Sequence, residues 1–144
     1  MARAVTRERF TQGLTLSQYL AQMRMNRERF VQFMQTAGVD SVSLTPPGRK
    51  LNVLVITEDW CGDSLYQFPV LARLVEGDPD VELRVFLRDQ NPDVMDQFLK
   101  HGRYRTIPVF AFFDERMNEL ARFIERPAVP GEPLVQHLRG LLEV

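Results

Sequence analysis

The sequence predicts an α/β fold: a mixed central sheet, two parallel strands plus an antiparallel hairpin, flanked by helices and preceded by an N-terminal helical extension. Three observations carry that prediction. "LNVLVIT" (51–57) is a continuous, β-branched run, as a central strand covered on both faces requires. A helical pattern separates it from a second run, "VELRVFL" (81–87), and a strand–helix–strand unit implies a parallel crossover. Then "IPVFAFF" (107–113), the polar "DERMN" and "ELARFI" (119–124) read as a hairpin that adds an antiparallel edge.

The other elements follow in order. Residues 1–13, rich in arginine, read as a polar, solvated arm. From Thr15, Leu16, Tyr19, Leu20 and Met23 recur at three-to-four spacing, the stripe of a short helix. Asn26 is placed to cap a second helix, which turns Phe30, Phe33, Met34 and Ala37 inward and stops at Gly38. "SLTPPGRK" (43–50), with two prolines and a glycine, is a loop. Between the first two strands a helix from about Gly62 to Val75 carries Leu65, Phe68, Leu71, Ala72 and Val75 on one side, with Pro69 inside it. Asn91 and Pro92 are a cap and a first-turn proline, opening a helix that ends near Gly102. Leu134, Val135, Leu138, Leu141 and Leu142 build a terminal helix. The chain divides into an arm and helical extension (1–49) packing on a main domain (50–144).

A chain of 144 residues can bury a core without disulfides or metals. At 44% hydrophobic, 26% charged and a net charge of −1, nothing calls for a nucleic-acid or membrane surface. The basic "MARAVTRERF" lacks the apolar region of a signal peptide, and no apolar run reaches the ~18 residues of a membrane helix. The single cysteine cannot form an internal disulfide, which fits a reducing compartment; the cytoplasm is the expectation.

The chemistry concentrates in "ITEDWCGDSL" (56–65), which holds the only cysteine and the only tryptophan. A lone cysteine is more often a small buried hydrophobe than a nucleophile. Between Trp60 and Gly62, where a strand gives way to a helix, Cys61 reads instead as an exposed, site-forming thiol. Trp60 is either packing or a flat apolar wall beside that thiol. Asp63 reads as a first-turn acid matched to the helix dipole. Ser64 is either a helix-start residue or a donor to the sulfur one turn away. Glu58, Asp59, Cys61 and Asp63 are acidic neighbours, but consecutive strand and turn residues point apart, and His101 and His137 stand far from each other. No metal or other cofactor is expected.

Over roughly residues 50–143 the chain resembles the thioredoxin family. "WCGDS" (60–64) stands where that family places Trp-Cys-Gly-Pro-Cys, "TIPV" (106–109) where it places a cis-proline loop, and Pro69 where it kinks the same helix, eight residues after Cys61. The wording "EDWCGDS … FLRDQNP … IPVF … RP" is most similar to a bacterial thioredoxin-like subfamily with an N-terminal helical extension, whose members usually read Trp-Cys-Gly-Asp-Cys. The resemblance implies a thioredoxin fold in which Cys61 and Pro108 meet. It also implies a cis Ile107–Pro108 bond and a docking surface formed by Trp60, Gly62, Asp63, Ile107 and Pro108. Three departures stand out: Ser64 replaces the resolving cysteine, Asp63 the proline, and Val55 the acid that thioredoxins bury beneath the motif.

A helix N-terminus favours the thiolate of Cys61, while Asp59 and Asp63 oppose it by like charge. Such a thiolate can attack a disulfide, but Ser64 cannot release the mixed disulfide, so an external thiol must. The expected activity is therefore monothiol exchange with a protein or low-molecular-weight thiol or disulfide, with Cys61 and Ser64 as its catalytic residues. A peptide-binding module without chemistry is the alternative, and monothiol iron–sulfur cluster binding a weaker one. An uncovered apolar face on the N-terminal helices would make a homodimer surface.

Overall fold

The computed structural model describes residues 5–38, 44–45, 48–129 and 131–144. Its elements are α1 (Arg7–Phe10), α2 (Leu16–Gln22), α3 (Arg27–Thr36), β1 (Leu51–Thr57), α4 (Gly62–Val75), β2 (Val81–Leu87), α5 (Pro92–Met95), β3 (Val109–Phe113), β4 (Glu119–Ile124) and α6 (Leu134–Leu142). The sheet runs β2-β1-β3-β4. β1 pairs in parallel with β2 and antiparallel with β3, which pairs antiparallel with β4. This is the mixed sheet that the two β-branched runs and the hairpin imply.

β1 is buried along its whole length because both its faces carry a core. Val53 and Val55 point to one core, shared with α2, α3, α4 and α6; Leu54 and Ile56 point to the other, shared with α1 and α5. Phe68 of α4 anchors the first core, with its ring 5.2 Å from that of Phe30, 5.5 Å from that of Tyr19 and 6.0 Å from that of Phe110. Tyr19, Met23, Phe30 and Met34 of the N-terminal helices are therefore buried against the sheet domain.

Residues 5–13 are not the solvated arm that their charge suggests. Val5 and Phe10 are buried in the second core, and Thr6 caps α1 by accepting from the Arg9 N–H at 3.1 Å. Arg7 donates to Asn52 Oδ1 at 2.9 Å and pairs with Glu82, while Arg9 pairs with Asp93. Leu14 then adds a two-way bridge to the free edge of β2, its N–H to Val85 O at 2.8 Å and its O from Val85 N–H at 2.7 Å. The N-terminal segment thus straps around one sheet edge: α1 covers one face, α2 and α3 the other.

Three local expectations change. The helix after Asn91 spans only Pro92–Met95, because the bonds beyond it tighten to three-residue spacing, Gln97 N–H to Val94 O and Phe98 N–H to Met95 O. His101 (φ 53°) and Gly102 (φ 69°) then reverse the chain in the left-handed region, closing a Lys100–Tyr104 bridge. Asn26 precedes α3 but its side chain makes no cap bond; it is used elsewhere, as shown below. The strand opening at Ile107 begins instead at Val109, after Pro108. Of the loop expected over 43–50, residues 43, 46 and 47 lie outside the described residues.

Candidate functional site

β1 ends at Thr57, and the chain turns over 58–61 before α4 starts. The Cys61 N–H closes that turn on Glu58 O at 3.2 Å, and its own carbonyl accepts the first helical bond from Leu65 N–H at 3.0 Å. Cys61 is the residue preceding α4, in an extended conformation (φ −81°, ψ 122°). That places its half-buried thiol at the C-terminal end of β1, where the third strand enters. The Cys61 Sγ lies 3.8 Å from the Ile107 carbonyl oxygen and donates to it. The Ile107–Pro108 peptide bond is cis. Residues more than forty positions apart in the sequence thus meet at one point.

The other predicted site residues fall into distinct environments. Trp60 is 47% exposed beside the thiol, with the Arg88 guanidinium 5.0 Å above its ring. Gly62 is exposed, and a Cβ built on it would meet nothing within 4 Å, so the space in front of the motif is open. Asp63 stands in the first turn of α4, 3.5 Å from Arg126. Ile107 and Pro108 are both buried, Ile107 within the second core, so the exposed wall at the sulfur is Trp60 rather than these two side chains.

Ser64 departs from the expectation of a hydroxyl donated to the sulfur. It is buried, and its Oγ has no hydrogen-bond partner among the described residues. The hydrogen of the Cys61 thiol goes to the Ile107 carbonyl instead. Val55 is fully buried beneath the motif, so no acid stands there.

The acidic neighbours of the thiol are used by the fold. The Asp59 carboxylate accepts from the Arg24 and Met25 N–H groups at 2.8 and 3.3 Å, and Asn26 Nδ2 donates to the Asp59 carbonyl at 2.9 Å. Glu58 accepts from the Asp89 N–H at 3.0 Å. The motif turn is therefore held from one flank by the α2–α3 connection and from the other by the segment after β2. Beneath it, burial pushes the Tyr19 hydroxyl up to about 12, with Asp59, Glu58 and Cys61 adding to the rise and a Thr57 hydrogen bond opposing it. These contributions from Tyr19, Asn26 and Arg88 were not read from the sequence. Tyr19 shows there only as one member of an apolar stripe, and nothing local marks Arg88.

A family model described as Thioredoxin matches residues 13–139 of the chain. No curated protein matches it. Among solved structures it is similar to an HIV epitope-scaffold, at 20% identity and a TM-score of 0.74, and to a protein of unknown function from Pseudomonas aeruginosa, at 21% and 0.74. In both cases 96% of each chain is covered. At such identities the likeness is one of fold. No helix among the described residues is long and apolar enough to cross a membrane. The meeting of Cys61 with the Ile107–Pro108 loop on this sheet, and a family match that takes in most of the N-terminal helices as well as the motif, lead to one assignment: the chain belongs to the thioredoxin family.

Proposed function

We propose that the protein performs thiol–disulfide exchange through a single thiol, that of Cys61. The thiolate attacks a partner disulfide, a Cys61–sulfur bond forms, and the second sulfur leaves with the electron pair. Because the chain has no other cysteine, an external thiol then attacks the mixed disulfide and returns Cys61 to its reduced form. Gly62 leaves room for the approaching disulfide, and Trp60 gives its flank an apolar surface. The Ile107 backbone offers an extended peptide a place to pair. The lone cysteine supports a reducing compartment such as the cytoplasm.

The observation that carries this reading is the half-buried Cys61 thiol at the start of α4, 3.8 Å from the Ile107 carbonyl. Its test is alkylation by iodoacetamide at neutral pH together with incubation in an oxidised small thiol. Cys61 is expected to alkylate faster than free cysteine and to gain the mass of one small-thiol adduct. Alkylation at or below the free-cysteine rate, with no adduct, would end the proposal.

A non-catalytic peptide-binding module is the second reading. It is favoured by one observation, that the Ser64 hydroxyl makes no bond to the sulfur and the thiol hydrogen is already directed at Ile107. On that reading Cys61→Ser leaves peptide binding at Trp60 unchanged while abolishing nothing measurable.

A further inference from the structure

The parallel pairing of β1 with β2 sets Thr57 beside Leu87, so the residues that follow the two strands emerge together at one end of the sheet. After β1 comes the turn that presents Trp60 and Cys61. After β2 comes a single 3-10 turn, Arg88–Gln90, which Asn91 fastens by donating from Nδ2 to the Leu87 carbonyl at 2.9 Å. Arg88 opens that turn, and its side chain is only 23% exposed.

The Arg88 guanidinium meets partners from three segments. It lies 5.0 Å from the centre of the Trp60 ring. Nη1 donates to the Arg105 carbonyl at 3.2 Å, and Nε to the Asp89 carboxylate at 2.9 Å. Arg105 stands two residues before Ile107, whose carbonyl takes the thiol hydrogen. One planar group therefore spans both halves of the site: the turn before Cys61 and the segment that enters the cis Ile107–Pro108 bond. The adjacent Asp89 N–H holds Glu58 at 3.0 Å, so the motif turn is gripped twice from the same place. A guanidinium can do both tasks at once, since it donates in its plane and stacks through its face, which an ammonium cannot.

We propose that Arg88 is a positioning residue of the exchange site: it fixes the Trp60 ring relative to the strand at Ile107, and the gap so defined favours a disulfide carried on an extended protein segment over a small free disulfide. The inference rests on the exchange reading above and names its substrate class. A small disulfide needs only the Cys61 sulfur and the open space at Gly62. An extended segment needs more. Its backbone pairs beside Ile107 while the side chain next to its cysteine lies on the indole, and the two contacts form together at least cost when both walls are fixed beforehand. Arg88 acts through Trp60 and the Arg105 backbone, not on the sulfur.

The test compares two uncharged substrates of Cys61. One is a neutral peptide with a leucine beside its single cysteine, that cysteine joined by a disulfide to thiopyridine; the other is dithiodipyridine. In each, the Cys61 thiolate bonds to one sulfur, the disulfide breaks, and thiopyridine leaves with the electron pair, giving the same signal. Arg88→Gln should lower the peptide rate about fivefold, the scale of one cation–π contact, and leave the dithiodipyridine rate unchanged. Trp60→Ala should lower the peptide rate too, and R88Q added to it should cost less than its full loss again, because the two side chains act together. Acrylamide should quench Trp60, the only tryptophan, more steeply in R88Q, since a face of its ring is uncovered. Arg116→Gln, an exposed arginine in the β3–β4 turn, should change none of these readings. An unchanged peptide rate, equal losses on both substrates, a double variant that falls by the full product of the single losses, or unchanged quenching would overturn the proposal. Should R88Q fail to fold, the same losses are expected of R88K, which keeps the charge but not the fork, and their absence there would overturn it. If neither substrate reacts with the parent protein, the exchange reading fails on its own. Arg88 is then judged from Trp60 fluorescence as the peptide with serine for cysteine is added: binding about fivefold weaker in R88Q is expected, and equal binding would overturn the positioning role.

Discussion

Replacing Gly13 by alanine tests whether the N-terminal strap is built into the sheet edge. A Cβ at this position would lie 2.6 Å from Phe86 Cε2, 2.8 Å from its Cζ and 3.0 Å from Arg84 Cβ. Phe86 cannot swing aside cheaply, since it is buried in the second core, with the Arg9 guanidinium 5.1 Å over its ring. The strap cannot lift cheaply either. Arg84 donates to the Thr11 and Gly13 carbonyls at 3.0 and 3.1 Å, and Leu14 holds both its bonds to Val85. Overpacking of this kind costs about 1–3 kcal/mol. For a domain of this size that lowers the melting temperature by roughly 2–4 °C per kcal/mol. Gly140 in α6 supplies the control, because a Cβ there meets nothing within 4 Å. Gly140→Ala should stabilise by up to about 1 kcal/mol through helix propensity alone. Urea denaturation of the two variants should therefore give shifts of opposite sign. A Gly13→Ala protein within about 0.5 kcal/mol of the parent, the range of an ordinary surface change, would refute the packed strap.

Two further outcomes concern pH. Tyr19 keeps its proton to about 12 in the folded protein against an ordinary 10.0, so its stabilisation is complete below pH 10 and is lost as pH rises toward 12. Tyr19→Phe should remove an alkaline loss of roughly 2–3 kcal/mol from the stability profile, and an unchanged profile would argue against the burial of that hydroxyl. On the acid side, Arg9 holds Asp93 and Lys100 holds Glu125 below the usual carboxylate range. Both contributions are present above the ordinary carboxylate values of about 4 and fade as pH falls through the lower folded ones, so Asp93→Asn should flatten the acid limb of the denaturation curve.

The sheet was legible because its signals are local. β1 reads as continuous and apolar since both its faces are covered, and the hairpin reads from two short apolar runs around a polar turn. The strap was not legible for the converse reason. Val5 and Phe10 are too few and too irregularly spaced to form a stripe, and the partners of Arg7 and Arg9 lie far along the chain, at Asn52, Glu82 and Asp93. A run of arginines in one sequence looks solvated until its carboxylates are located. The short α5 was misread because Asn91–Pro92 signals a start but nothing in 96–99 signals the tightening that ends it. At the site, the family resemblance brought Cys61 and Pro108 together, but the Ser64 hydroxyl was expected on a sulfur whose hydrogen goes to the distant Ile107 carbonyl, a partner that nothing local in the sequence marks.

The carboxylates around Cys61 show why the N-terminal helices belong to the site and not merely to the scaffold. As a string of letters, Glu58, Asp59 and Asp63 are like charges crowding a thiolate, an arrangement that opposes its chemistry. In the fold each is directed away toward a donor: Glu58 to the Asp89 N–H, Asp59 to the Arg24 and Met25 N–H groups, Asp63 to Arg126. The donors for Asp59 exist only because α2 and α3 place their connection there, and that placement depends in turn on Tyr19 and Phe30 packing on Phe68. Removing the extension would free a carboxylate two residues from the sulfur and unpin the backbone that presents Trp60 in a single step.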